Sequence, residues 1–169
     1  MPFERTFDMP LRLASSLAGM AAALAATPAL ALSCLAPSVT DAFARANAAE
    51  EVYTIVLGTL SGGLPPRPTD HSGPLPEDRV YDMRFVGHTL NRDGPAEEVD
   101  TTITVVEQCA ASWCAQIPTG RQVLTFLRID TGGAPQLTVG PCYGDFFVDP
   151  TAEQLNEVLS CFAAGCTES

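Results

Sequence analysis

The chain has 169 residues, with nine arginines, no lysine and 20 acidic residues, so its net charge at neutral pH is −11. A field of that sign repels nucleic acid and anionic membrane surfaces, and the arginines form no cluster that would offset it. These numbers exclude nucleic acid and anionic lipid as expected partners.

The first segment, residues 1–33, is typical of a cleavable secretory signal. An apolar run rich in Ala and Leu extends from Leu13 to Leu32, and the small residues Ala31 and Ser33 occupy the positions that signal peptidases require. Cleavage there makes Cys34 the first residue of an exported protein, either periplasmic or extracellular.

Two alternatives to this signal remain open. An apolar run of about 20 residues can span a bilayer, so the segment could be a retained membrane anchor. Translation could also begin at Met9 rather than Met1, which would remove two acidic residues from the signal. In each case residues 34–169 are enough for one domain with a core and too few for two.

All the cysteines follow Ser33, and an even count in an oxidising compartment favours disulfides. The competing interpretation is a metal site, because four residues separate Cys109 from Cys114 and Cys161 from Cys166, as in paired ligand loops. Export favours oxidation over thiolate ligation, so we predict disulfides and no metal site of the protein's own. The six cysteines are Cys34, Cys109, Cys114, Cys142, Cys161 and Cys166.

The next elements in chain order are a helix and a series of strands. Residues 38–49 combine a capping serine with apolar spacing and predict a short amphipathic helix. Residues 61–79 are rich in Gly and Pro and predict a long loop. Five segments rich in β-branched or alternating apolar residues predict strands that form a small barrel. The five segments are 52–58, 80–90, 99–107, 122–129 and 136–139, with turns at 91–94 and 131–133.

The last element is a predicted helix. Asp149 is expected to cap it, Pro150 to take the first helical position, and Gly165 to end it. One apolar stripe should face the barrel. The stripe consists of Leu155, Val158, Leu159 and Phe162.

Catalytic motifs are absent from the sequence. His71 and His88 lie in no nucleophile or zinc-protease motif, and no glycine-rich phosphate loop occurs. We therefore predict a protein that is not an enzyme and has no cofactor. An enzyme would need a distant constellation, such as His88 with Asp82 or Asp100.

Trp113, the only tryptophan, precedes Cys114. A bulky ring beside a cysteine commonly covers a disulfide, so packing is the favoured role. The alternative is an exposed anchor for a binding partner.

The order of these features resembles the netrin-like module that is shared with the tissue inhibitors of metalloproteinases. The resemblance covers nearly the whole of residues 34–169. Its marks are Cys34-Leu35-Ala36-Pro37, the helix around Phe43, the strand end Val56-Leu57-Gly58, Cys114 before Val123-Leu124-Thr125-Phe126-Leu127, then Leu137-Thr138-Val139-Gly140-Pro141-Cys142, and finally Leu155, Leu159 and Gly165-Cys166.

The resemblance implies a fold and a function. The expected fold is mainly β, a five-stranded OB-type Greek-key barrel with helices packed beside it. In the animal inhibitors the amine and carbonyl of the first cysteine chelate a protease zinc, and the second side chain enters the specificity pocket. Carried over, those roles fall on Cys34 and Leu35, with Ala36, Pro37 and Trp113 as further candidate contacts to a protein partner.

The resemblance also implies how the cysteines pair. This chain departs from the family's cysteine pattern at two places, which changes the expected pairing. The family's Cys-x-Cys start is here Cys34-Leu35-Ala36, and the cysteine after the first helix is missing. Cys161 with Cys166 is then the local pair at the last helix. Cys34 bridges either Cys114 or Cys142, and the other of these joins Cys109. The sequence does not decide between these two pairings.

The expected function is an exported binding module, with metalloprotease inhibition as its sharpest form. The alternative is an envelope protein anchored by a lipid on Cys34, because residues 30–34 partly fit a lipoprotein signal. Acylation would block the amine and leave one cysteine without a partner, which favours a free Cys34. A membrane would be a partner only in the lipidated form.

Overall fold

Helix α1 spans Val39–Ala48 in the computed structural model, which describes residues 34–63, 77–110 and 112–167. Ser38 is its N-cap, and the Ser38 hydroxyl accepts a hydrogen bond from the Asp41 amide at 3.2 Å. The helix buries Val39 and Ala42. This confirms the helix predicted from the capping serine and the apolar spacing.

The molecule is mainly β, and all five predicted strands are present. Three further strands are only two or three residues long and were not predicted. The strands are β1 Val52–Ser61, β2 Arg79–Asn91, β3 Gly94–Glu107, β4 Cys109–Ala110, β5 Trp113–Cys114, β6 Gln122–Ile129, β7 Pro135–Val139 and β8 Phe146–Val148. Strand β3 begins earlier than predicted because it stays paired with β2 up to the Asn91↔Gly94 turn.

Six of these strands form one sheet in the order β1-β2-β3-β7-β6-β8. Its pairs are antiparallel except for β3 and β7, which run parallel. Strand β1 also pairs with β6 along Val52–Thr59, so the pairings lead from β1 through the sheet back to β1. Strands β4 and β5 make a separate two-stranded hairpin.

Two apolar clusters pack on the two faces of this sheet. One consists mainly of strand residues and contains Phe85, Ile103 and Leu137, which are fully buried. The other lies under the helices, where Val39 of α1 and Val158 of the C-terminal helix pack with residues of β1 and β6. Burial of such side chains is the main favourable term in folding.

The C-terminal helix, α2, spans Ala152–Ala164, and its start corrects the sequence prediction. Thr151 is the N-cap, and a capping box joins it to Gln154: the Gln154 amide donates to the Thr151 hydroxyl at 3.2 Å, and the Thr151 amide donates back to the Gln154 side chain at 2.9 Å. Asp149 does not cap the helix, because its backbone is in the left-handed region at φ 46° and its carboxylate accepts from Arg121. Pro150 therefore precedes the helix, which ends before Gly165 as predicted.

Strands β1 and β2 approach closely at a pair of glycines. Gly58 and Gly87 face each other in the antiparallel register. A Cβ on Gly87 would lie 2.5 Å from the Gly58 Cα, and a Cβ on Gly58 would lie 2.8 Å from the Gly87 Cα. Only residues without a side chain fit at this crossing.

Residues Cys34–Ser169 form one compact unit. None of the helices in the described ranges is long and apolar enough to cross a membrane. The predicted signal at residues 1–33, His71 and most of the predicted 61–79 loop lie outside the described residues, whereas Ser61 belongs to β1 and Arg79 to β2.

Candidate functional site

The chain segment Cys34–Pro37 lies on the surface, and a disulfide fastens its first residue. The sulfur of Cys34 is bonded to that of Cys142, with 5.2 Å between the Cα atoms. The whole segment is exposed, and Leu35 is the most exposed large apolar residue of the described chain at 88 %. A freely exposed leucine next to a covalently fixed backbone is available to a partner.

Cys142 lies in the loop of residues 140–145, which follows β7, and contacts of neighbouring side chains hold this loop in place. The Tyr143 hydroxyl donates to the Gln116 carbonyl at 3.0 Å and accepts from the Gln116 amide at 3.3 Å. On the other side, Arg45 of α1 forms an ion pair with Asp145. The segment that carries Cys142 is therefore linked both to α1 and to the connection between β5 and β6.

The β4–β5 hairpin is closed by the Cys109–Cys114 disulfide, whose residues are also register partners. Trp113 faces Ala110 in this hairpin and is 63 % exposed. This exposure favours the alternative left open by the sequence, an exposed anchor for a partner, over the packing role. An exposed tryptophan on a covalently closed turn is suited to anchor a partner.

The hairpin and the Cys34 segment are tied to the same part of the molecule. The Gln108 amide, just before the hairpin, donates to the Val139 carbonyl at 2.9 Å, and the Ala115 amide, just after it, donates to Gln108 at 3.0 Å. Val139 immediately precedes residues 140–145. The structure thus joins two candidate contact segments, far apart in sequence, to one loop.

A small apolar cavity of about 240 Å³ lies beside this loop. Phe146 and Phe147, both buried, line it, and Tyr143 stacks on Phe146 with 6.2 Å between ring centroids. Pro37 of the N-terminal segment also lines it. The cavity therefore adjoins the N-terminal segment.

All six cysteines form disulfides, as predicted, and the structure selects one of the two pairings left open. Cys34 pairs with Cys142, Cys109 with Cys114, and Cys161 with Cys166. Among the described residues no cluster of His, Cys, Asp or Glu could hold a metal ion.

A buried carboxylate that sequence reasoning missed lies at the end of β3. Glu107 is fully buried, pairs with Arg79 at 2.6 Å, and accepts a hydrogen bond from the Tyr81 hydroxyl at 2.9 Å. The alternation of β3 carried the signal, because Ile103, Val105 and Glu107 share one face and the first two are core residues. Arg79 and Tyr81 both donate to the buried Glu107 carboxylate, so this residue has a structural role and is not accessible on the surface.

The residues considered for an enzyme do not assemble around His88. The Asp82 carboxylate accepts from Thr104 at 3.1 Å, and Asp100 is held by Arg84. Neither carboxylate hydrogen-bonds to His88, which instead faces Glu98 across the strands. Hydrogen bonds from Arg84 lower the pKa of Asp100 below its ordinary value of 3.8.

Comparison of the chain with protein-family models, with curated protein sequences and with solved structures finds no match.

Proposed function

We propose that the mature domain is an exported, non-enzymatic binding module that inhibits a zinc metalloprotease through its N-terminal residue, Cys34. The observation that carries the proposal is the fixed but exposed N-terminal segment. Its first residue is bonded to Cys142 and its second, Leu35, projects into solvent. A zinc ligand is effective when its geometry is set before binding, and the disulfide supplies that constraint.

The proposal includes an OB-type Greek-key barrel. In support, β1, β2, β3, β7 and β6 pair in a ring, and the contact of β3 with β7 is parallel whereas the others are antiparallel. These five strands are the five that the sequence predicted. The two helices pack together, with Phe43 against Phe162 at 5.2 Å in an edge-to-face contact.

The chemistry requires a free amine on Cys34. After cleavage, the amine and the carbonyl oxygen of this residue can chelate a metal whose coordination sphere has an open position, as in a catalytic zinc site. The side chain of Leu35 would then enter an apolar specificity pocket of the protease. Trp113, linked to the same loop, would add a second contact at the rim of the interface.

The disulfide also weighs against the lipid-anchored alternative. A lipid thioether needs the Cys34 sulfur, and that sulfur is bonded to Cys142. A lipidated chain would leave Cys142 without a partner in an oxidising compartment.

The test is inhibition of a panel of zinc metalloproteases by the processed domain that begins at Cys34. We expect inhibition at micromolar concentration or below, lost by the same domain with one alanine added before Cys34, because the added residue displaces the amine. Leu35→Gly should weaken inhibition at least about tenfold through the lost pocket contact.

The matched control is Val52→Ala, which shortens another exposed apolar residue, 66 % exposed, at the start of β1. It should inhibit as the parent does. Absence of inhibition across the panel, or equal inhibition by the alanine-extended domain, contradicts the proposal. Intact mass of the secreted protein reports cleavage, lipid and disulfide count in the same sample.

A further inference from the structure

The first part of β3 has one edge that no other described strand pairs with. Strand β2 pairs with β3 from Asn91↔Gly94 to Arg79↔Glu107, with one register shift between His88 and Leu90, where Ala96 and Glu97 lie opposite Thr89. Strand β7 occupies the opposite edge only at Thr104 to Glu107. From Pro95 to Ile103, therefore, β3 lies at the border of the described sheet.

A strand edge of this length can accept another strand. Its free amide and carbonyl groups form a template for main-chain hydrogen bonds, and natural proteins usually shorten or block such edges. The beginning of the edge is blocked, because Pro95 lacks an N–H group and the Glu97 amide donates to the Thr89 hydroxyl of β2 at 3.1 Å. The stretch 98–103 that follows has the length of a typical strand of about five or six residues.

The side chains along this edge are acidic. Glu97, Glu98 and Asp100 are exposed, and Gly94–Ile103 contains no basic residue. Arg84 neutralises Asp100 through two hydrogen bonds of 2.7 and 2.6 Å. Neither Glu97 nor Glu98 forms an ion pair with any described residue.

We propose that residues 98–103 of β3 are a docking edge for an extended, basic segment of a protein partner, which adds to the sheet as a strand. Main-chain hydrogen bonds supply the binding, and basic side chains of the partner pair with Glu97 and Glu98. A second copy of this chain is disfavoured as the occupant, because self-pairing would bring these carboxylates against each other. The net charge of −11 favours a basic partner in the same way.

This edge does not depend on the proposed inhibition. The loop that holds Cys34 follows Val139, which is paired with Glu107 at the far end of β3. A failure at either surface therefore leaves the other untouched.

The experiment is hydrogen exchange of the mature domain with three synthetic peptides of about eight residues, the length of one strand. One alternates Lys and Thr, the second alternates Glu and Thr, and the third is the Lys peptide with alternate amides N-methylated. We expect the Lys peptide alone to slow exchange at amides within 98–103, by at least about tenfold at saturation. The N-methylated peptide carries the same charge, but its methylated amides cannot donate main-chain hydrogen bonds to β3.

The matched variants are Glu97→Lys with Glu98→Lys, and, as a control, Glu153→Lys on α2, which is also an exposed acidic site. The double variant should bind the Lys peptide at least about tenfold more weakly, while the control changes the affinity little. Equal binding of the N-methylated peptide, protection outside β3, or no protection by the Lys peptide overturns the proposal. Self-association of the mature domain through β3, seen as a dimer with the same protected amides, also overturns it.

Discussion

At the scale of single residues, the glycine pair at the β1–β2 crossing is the strictest requirement in the sheet. Gly87→Ala would push a methyl group into the Gly58 backbone, where the nearest main-chain atoms cannot move aside. We expect a loss of unfolding free energy of about 1–3 kcal/mol, the usual cost of overpacking. Urea denaturation measures it. Gly63→Ala is the control, since a Cβ there meets no atom within 4 Å, and a similar loss in both variants would refute the steric explanation.

A second residue-scale prediction concerns Asp100. Arg84 lowers its pKa, so the contribution of this carboxylate to stability is present above pH 3.8 and is lost as the pH falls through the lowered pKa. Arg84→Gln should raise the pKa of Asp100 towards 3.8, as followed by NMR titration of the carboxyl carbon. Arg92→Gln, which removes another exposed arginine on the same hairpin, should leave the Asp100 titration unchanged. An unchanged Asp100 midpoint in Arg84→Gln would contradict this assignment.

At the scale of elements, the structure differs from the sequence prediction at the start of α2, where Thr151 and not Asp149 is the N-cap. Thr151→Ala removes the capping box and should cost about 1 kcal/mol of unfolding free energy. Arg121→Gln breaks only the exposed pair with Asp149 and should cost less, about 0–1 kcal/mol. Thermal or urea unfolding of both variants measures this, and a larger loss in Arg121→Gln than in Thr151→Ala would contradict the assignment of the cap to Thr151.

The long elements were predictable because their own residues carry the signal. The β-branched run from Val52, the alternation of β2 and the capped start of α1 each act within one element. Strands β4, β5 and β8 are too short to show a period, and their pairing depends on distant partners, such as Val123↔Val148. The exposure of Trp113 could not be predicted for the same reason, since it depends on how the disulfide-closed hairpin sits on its neighbours.

At the scale of the whole molecule, the three disulfides should contribute unequally. Cys34 and Cys142 are 108 residues apart, whereas each of the other two bridges joins residues only five apart. In the chain-entropy model, removing the long bridge by Cys34→Ser with Cys142→Ser should cost about 5 kcal/mol, and Cys161→Ser with Cys166→Ser about 2 kcal/mol. Urea midpoints of the two double variants measure this, and equal losses would show that loop length does not govern the effect.

The long bridge also affects how the exported chain reaches its native disulfides. A chain that enters an oxidising compartment with its N-terminus first presents Cys34, then Cys109 and Cys114, and only later Cys142. Oxidation in order of arrival would join Cys34 to Cys109, which is not the native pair. Under oxidation in order of arrival, the native pairing requires thiol–disulfide exchange, so we expect a disulfide isomerase to raise the yield of the native pairing above that reached with an oxidase alone.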